Sequence, residues 1–184
     1  AADDPTAVDP KTGAPINTKP TDQLGIAPGA GLLAVKVATT DGSTDVSEVI
    51  AGLDWITAHA HDNGMNVRVV NLSFGTDSVQ SYQLDPLAAA AENAWRHGIV
   101  VVVSGGNEGP SAGRLTDPAM DPYVIAVGAS ASSTVSGWSR PTVASFSSTG
   151  SAARHVDLVA PGSSIASLRN PGSYIDENYP SGLV

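Results

Sequence analysis

Ile99-Val100-Val101-Val102-Val103, running straight into Ser104-Gly105-Gly106-Asn107-Glu108-Gly109, is the most informative stretch of this 184-residue chain. Five β-branched residues in a row leave no polar side, so the run predicts a fully buried strand. Its end changes character within one residue to glycine, serine and asparagine, which is turn chemistry. Upstream, Asp85-Pro86 opens a helical pattern through Arg96, and Gly98 stops it. Helix, glycine, buried strand and glycine-rich loop in succession read as one unit of a parallel sheet with crossover helices.

Working outward, the same alternation recurs. Leu32 to Val37 and Val67 to Phe74 are apolar, Val-rich runs that predict strands. Between them Val46, Ile50, Leu53 and Ile56 recur at helical spacing, so Asp45 to about Ala60 predicts an amphipathic helix with Thr44 or Asp45 as N-cap. Tyr123 to Gly128, Ala144 to Ser147 and Asp157 to Val159 complete the expected strands. Residues 1–24 and 169–184 show neither period and predict a surface loop or tail at one end and a loop at the other. The fold class expected is α/β with a mostly parallel central sheet and crossover helices.

Composition narrows the function. Nine Lys and Arg against eighteen Asp and Glu leave a formal charge of −9. That argues against binding nucleic acid or an anionic membrane surface, both of which call for clustered basic residues. Cysteine is absent, so disulfides, thiolate metal sites and cysteine nucleophiles are excluded together. No run approaches the length of a membrane span, and residues 1–10 carry no signal-peptide pattern.

In an open parallel sheet, ligands bind beyond the carboxyl ends of the strands. Three such ends are readable: Thr39 to Thr44, Ser73-Phe74-Gly75, and Ser104 to Gly109. An asparagine amide at such an end, here Asn107, is a neutral donor able to stabilise a developing oxyanion. Asparagine beside glycine is also an ordinary turn residue that caps its own backbone.

GIAPGAGLLAVKV, VVNLSFG, GIVVVVSGGNEGP, DPYVIAVGA, ASFSSTG and DLVAPGSSI occur in that order. Together they resemble the subtilisin-like serine proteases, the subtilases (peptidase family S8), over about residues 25–168. The resemblance implies a three-layer α/β fold. It implies that Asn107 is the oxyanion donor, that Ser73, Phe74 and Gly75 wall the first specificity pocket, and that Ser104, Gly105 and Gly106 form its opposite wall. Thr116 to Ala119 would form the back of that pocket. Gly42, Ser43 and Thr44 would form a second edge, so that an extended polypeptide lies between two protein segments as an added strand. Secretion follows from the same resemblance. Calcium in the full-length parent would be consistent with it, although no dense acidic loop is evident. The carbonyls of Ala119, Asp121 and Val124 match a weak cation position in relatives.

A subtilase cuts with a serine, a histidine and an aspartate. None of the three motifs that carry them is in this sequence. His97 closes a helix, where the family's histidine opens one. His59 and His61 are two apart and share no helical face. His155 has no partner in sequence, Asp41 and Asp77 lie in turns, and Asp157 matches a non-catalytic position. No Gly-x-Ser-x-Gly elbow occurs. The expectation is therefore a central segment of a secreted endopeptidase's catalytic domain, holding the cleft and Asn107 without the triad and inactive alone. Residues 169–184 would lead towards the serine segment. The alternative is a degenerate subtilase that binds peptides without cutting them.

Overall fold

The computed structural model describes residues 26–135, 138–163, 165 and 170–179. The chain divides into two units, residues 1–35 and 36–184. In the first, the described residues hold a turn closed by Ala30 N donating to the Ala27 carbonyl at 3.0 Å. The expected strand at Leu32 to Val37 does not form: no strand pairs with it among the described residues, and Leu32 is fully exposed. An apolar run lowers its energy as a strand only where a neighbour takes up its backbone groups.

The second unit is built on a sheet of five strands among the described residues: β1 (Val69–Leu72), β2 (Val100–Ser104), β3 (Ile125–Val135), β4 (Trp138–Val143) and β5 (Leu158–Pro161). β1, β2 and β3 pair in parallel and in that order, β5 pairs in parallel with β3, and β4 folds back antiparallel on the far half of β3. The β3–β4 hairpin is absent from the sequence reading, and the expected strand at Ala144 to Ser147 is a turn instead. That turn is closed by Ser147 N on the Ala144 carbonyl at 2.9 Å. Helix α1 spans Val46–His59, α2 spans Pro86–Arg96, and a short α3 spans Tyr174–Asn178 where loop was expected. Ser173 caps α3 by accepting from Asp176 N.

Local chemistry sets the helix starts. Asp45 accepts from Ser47 N at 2.8 Å at the head of α1. Asp85 accepts from Leu87 N at 2.9 Å and Ala88 N at 3.3 Å at the head of α2, with Pro86 in the first turn. Gly98 turns the chain out of α2 with φ of +83°, a conformation that costs glycine little.

Register pairs Val70 with Val101, and Leu72 with Val103. These four face the helices and join Leu53, Leu87, Ala91 and Ala94 in one core. The opposite face is different. Val69 is 58% exposed, Val100 36% and Leu158 49%. The expectation that Ile99 to Val103 is wholly buried therefore holds for one face of β2 only. α1 and α2 cover one side, and among the described residues nothing comparable covers the other.

Candidate active site

Three chain segments meet at the carboxyl ends of β1 and β2. Thr76 N donates to the Asp117 carbonyl at 2.9 Å and Asp117 N returns a bond to the Thr76 carbonyl at 3.0 Å. Thr116 N donates to the Gly105 carbonyl at 3.1 Å. The Thr116-Asp117 segment is thereby fastened between the segment after β1 and the segment after β2. Glycine is what allows the approach: a Cβ on Gly75 would stand 2.7 Å from Thr116 Oγ1. One on Gly106, whose φ is +113°, would stand 2.9 Å from Thr116 Cγ2 and collide with Glu108 Oε2.

Ser73 is exposed and Phe74 is half-buried against the core, while Ser104 and Gly106 are half-buried and Gly105 is buried. The structure thus brings Ser73 to Gly75, Ser104 to Gly106, and Thr116 to one place. Ala119 sits deeper, wholly buried in the core cluster. The segment Gly42-Ser43-Thr44 forms a separate feature. Its hydrogen bonds run within residues 37–45: Ser43 N to Asp41 Oδ1 at 3.0 Å, and Thr44 Oγ1 to the Val37 carbonyl at 2.5 Å. Ser43 and Thr44 line a cavity of about 510 Å3 together with Lys36, Thr39 and Glu48.

Asn107 is exposed at the mouth of the turn, and its side chain makes no hydrogen bond among the described residues. A turn asparagine that capped its own backbone would show such a bond. The amide is left as a free donor, while the residues around it are tightly held. Ser148, fully buried, donates to Glu108 Oε2 at 2.7 Å and accepts from Glu108 N at 3.1 Å, and its own N donates to the Gly106 carbonyl at 3.0 Å. Ser148 lies in the stretch ASFSSTG, where nothing in the sequence marks it out from Ser147.

Two further groups have a chemistry that the sequence alone does not reveal. Asp117, 3% exposed, has one carboxyl oxygen with no donor among the described residues. Burial, then the nearby charge of Asp85, pushes its pKa up to about 7. Burial also acts on Asp85 itself, but the Ser78 hydroxyl and the Ala88 and Leu87 amides outweigh it and hold that carboxyl below its ordinary value. Arg154 is the second group; its guanidinium donates to the carbonyls of Ala119 at 2.9 Å and Val124 at 3.1 Å. Two of the three carbonyls that match the weak cation position thus already face a fixed positive charge, and the donor set does not suit a metal ion as well. Among the described residues no group of three or more His, Asp or Glu side chains could hold one.

No Ser–His–Asp chain of hydrogen bonds exists among the described residues. His59 Nδ1 meets the Trp55 carbonyl and its ring stacks on Trp55, with centroids 4.6 Å apart. His97 Nδ1 meets the Asn93 carbonyl and His155 Nδ1 the Val156 carbonyl. What the geometry holds here is an amide unbonded among the described residues and two glycine-bearing segments packed around Thr116.

The subtilase family model matches residues 9–181. The chain is 39% identical over 166 residues to the serine protease AprX of Bacillus subtilis (strain 168), covering 87% of this chain and 38% of that one. It is 41% identical over 151 residues to subtilisin-like protease 1 of Trichophyton equinum, covering 82% of this chain and 27% of that one. Among solved structures, Sphericase superposes with a TM-score of 0.66 at 26% identity, over 86% of this chain and 49% of its own. The S41 psychrophilic protease does so with 0.63 at 25%, over 83% of this chain and 47% of its own. The chain spans about a third of the length of these curated relatives and about half of these solved ones.

Proposed function

The chain belongs to the subtilase family, and on that premise we propose that it supplies the substrate cleft and the oxyanion donor of a serine endopeptidase. Asn107 is the donor. Ser73 to Gly75 and Ser104 to Gly106 are the walls of the first pocket, Thr116 to Ala119 its back, and Gly42 to Thr44 the far edge on which an extended polypeptide lies. The observation that carries this reading is the combination at the end of β2: an Asn107 amide unbonded among the described residues, next in sequence to Gly106, whose lack of a side chain leaves room for Thr116. Such a donor, aimed where charge develops, lowers the barrier to acyl transfer without having to reorganise.

The nucleophile and its base come from elsewhere in the catalytic domain, which also covers the apolar second face of the sheet. Alone, the 184-residue chain is inactive. The whole protein works outside the cell, as the family resemblance implies. No helix among the described residues is long and apolar enough to cross a membrane.

The test is Asn107→Gly in the full-length chain. The expected result is a fall in kcat of about 10²–10³ with KM little changed, a figure obtained on a subtilisin and carried over here. An unchanged kcat would remove the oxyanion role. A full-length chain with substituted triad positions, holding peptides without hydrolysing them, would leave a binding module instead.

A further inference from the structure

Arg154 stands on the loop before β5 and is four-fifths buried, with 18% of its side chain exposed. Besides the carbonyls of Ala119 and Val124, its Nη1 donates to the His155 carbonyl at 3.2 Å and to Asp157 Oδ1 at 2.8 Å. Asp157 Oδ2 in turn accepts from Ala126 N at 2.8 Å, on β3. One guanidinium therefore joins the loop 119–124 to the base of β5. Within that loop lies Asp121, fully buried, with one carboxyl oxygen lacking a donor among the described residues and near enough to feel the Arg154 charge.

The acceptors around Arg154 are all oxygens: backbone carbonyls and a carboxylate, with a second carboxylate close by. Such a set is what hard cations bind. Guanidinium satisfies it differently, with N–H groups fixed in a plane and a charge that never titrates. A second cation at the same carbonyls would be repelled by the first at short range and low dielectric.

We infer that Arg154 is a covalently tethered stand-in for a metal ion at the loop 119–124, so that this loop holds its shape without the cation the family resemblance implies there. The family's cation position and this chain's residues disagree, and the disagreement lies in one side chain. Removing it would leave three carbonyls without its N–H groups and two carboxylates without their positive neighbour, and so would create a cation site. The inference holds whether or not the whole protein cleaves peptides.

The experiment compares the full-length wild type, Arg154→Ala and Arg154→Lys, freed of metal, by thermal unfolding. Choline chloride is set against KCl and against CaCl2 at equal ionic strength. Arg154→Ala is expected to unfold about 4 °C below wild type in choline, in line with losing a few partly buried charge-assisted bonds. KCl or CaCl2 should recover at least half of that loss, beyond any response the wild type shows. Arg154→Lys should lie between the two, with a smaller recovery. Equal responses of wild type and Arg154→Ala, or equal stability in choline, would overturn the inference. If Arg154→Ala does not fold in choline, refolding in KCl or CaCl2 supports the inference, and failure in all three salts counts against it.

Discussion

Asp117 couples the pocket to pH. Its proton is held up to about pH 7 in the folded chain, whereas an unfolded carboxyl loses it near 3.8. A group whose pKa is raised by folding stabilises fully below the unfolded value and loses that contribution as pH rises through the folded one. Asp85 works in the opposite sense, but its loss falls below its ordinary carboxylate range and so outside this window. The full-length chain should therefore lose thermal stability between about pH 4 and pH 7 relative to Asp117→Asn, whose amide can still donate to Asp85 without titrating. Parallel stability curves for the two proteins would show that Asp117 does not carry the proton. At this scale the sequence was partly legible. Asn107 stands out because a glycine-rich strand end coincides with the family resemblance, and its role rests on that resemblance. The burial of Asp117 and the bonds of Arg154 were not legible, because their environment is made largely by partners remote in sequence.

At the scale of elements, the glycine walls are the sensitive parts. Gly106 combines a φ of +113° with close contacts to Ser148 Oγ and Thr116 Cγ2, so any side chain there meets strain and collision together. Gly106→Ala should lower stability by about 1–3 kcal/mol, read as a fall in the urea midpoint of the full-length chain. A midpoint unchanged from wild type would mean that the loop relaxes freely. α1, α2 and the strands facing them were readable because capping aspartates, a stop glycine and β-branched runs agree with one another. The β3–β4 hairpin was missed because its serine- and threonine-rich run lacks a strong apolar alternation. Leu32 to Val37 failed for the opposite reason: the residues favour a strand, but pairing is a property of neighbours. The helical turn at Tyr174–Asn178, capped by Ser173, is too short for a period to show.

For the molecule as a whole, the uneven sheet decides behaviour. Parallel sheets are normally covered on both faces, and a bare apolar face favours association. The isolated 184-residue chain should bind a hydrophobic dye and unfold without a sharp, reversible transition. Replacing Val69 with Thr and Leu158 with Lys should raise its soluble yield. A sharp monomeric transition in the unmodified chain would contradict this. A net charge of −9 improves solubility but does not cover that face.

The clamp at Thr116 also says something about time. The segments it unites are the chain leaving β1 and two parts of the β2–β3 connection, Thr76 and Asp117 being 41 residues apart, and the Glu108–Ser148 bonds that steady the same turn close a loop of 40 residues. Contacts of such long range carry a large loop-closure entropy and form late. The proposed cleft would thus be a product of completed folding, with the helices formed before the segments around Thr116 come together.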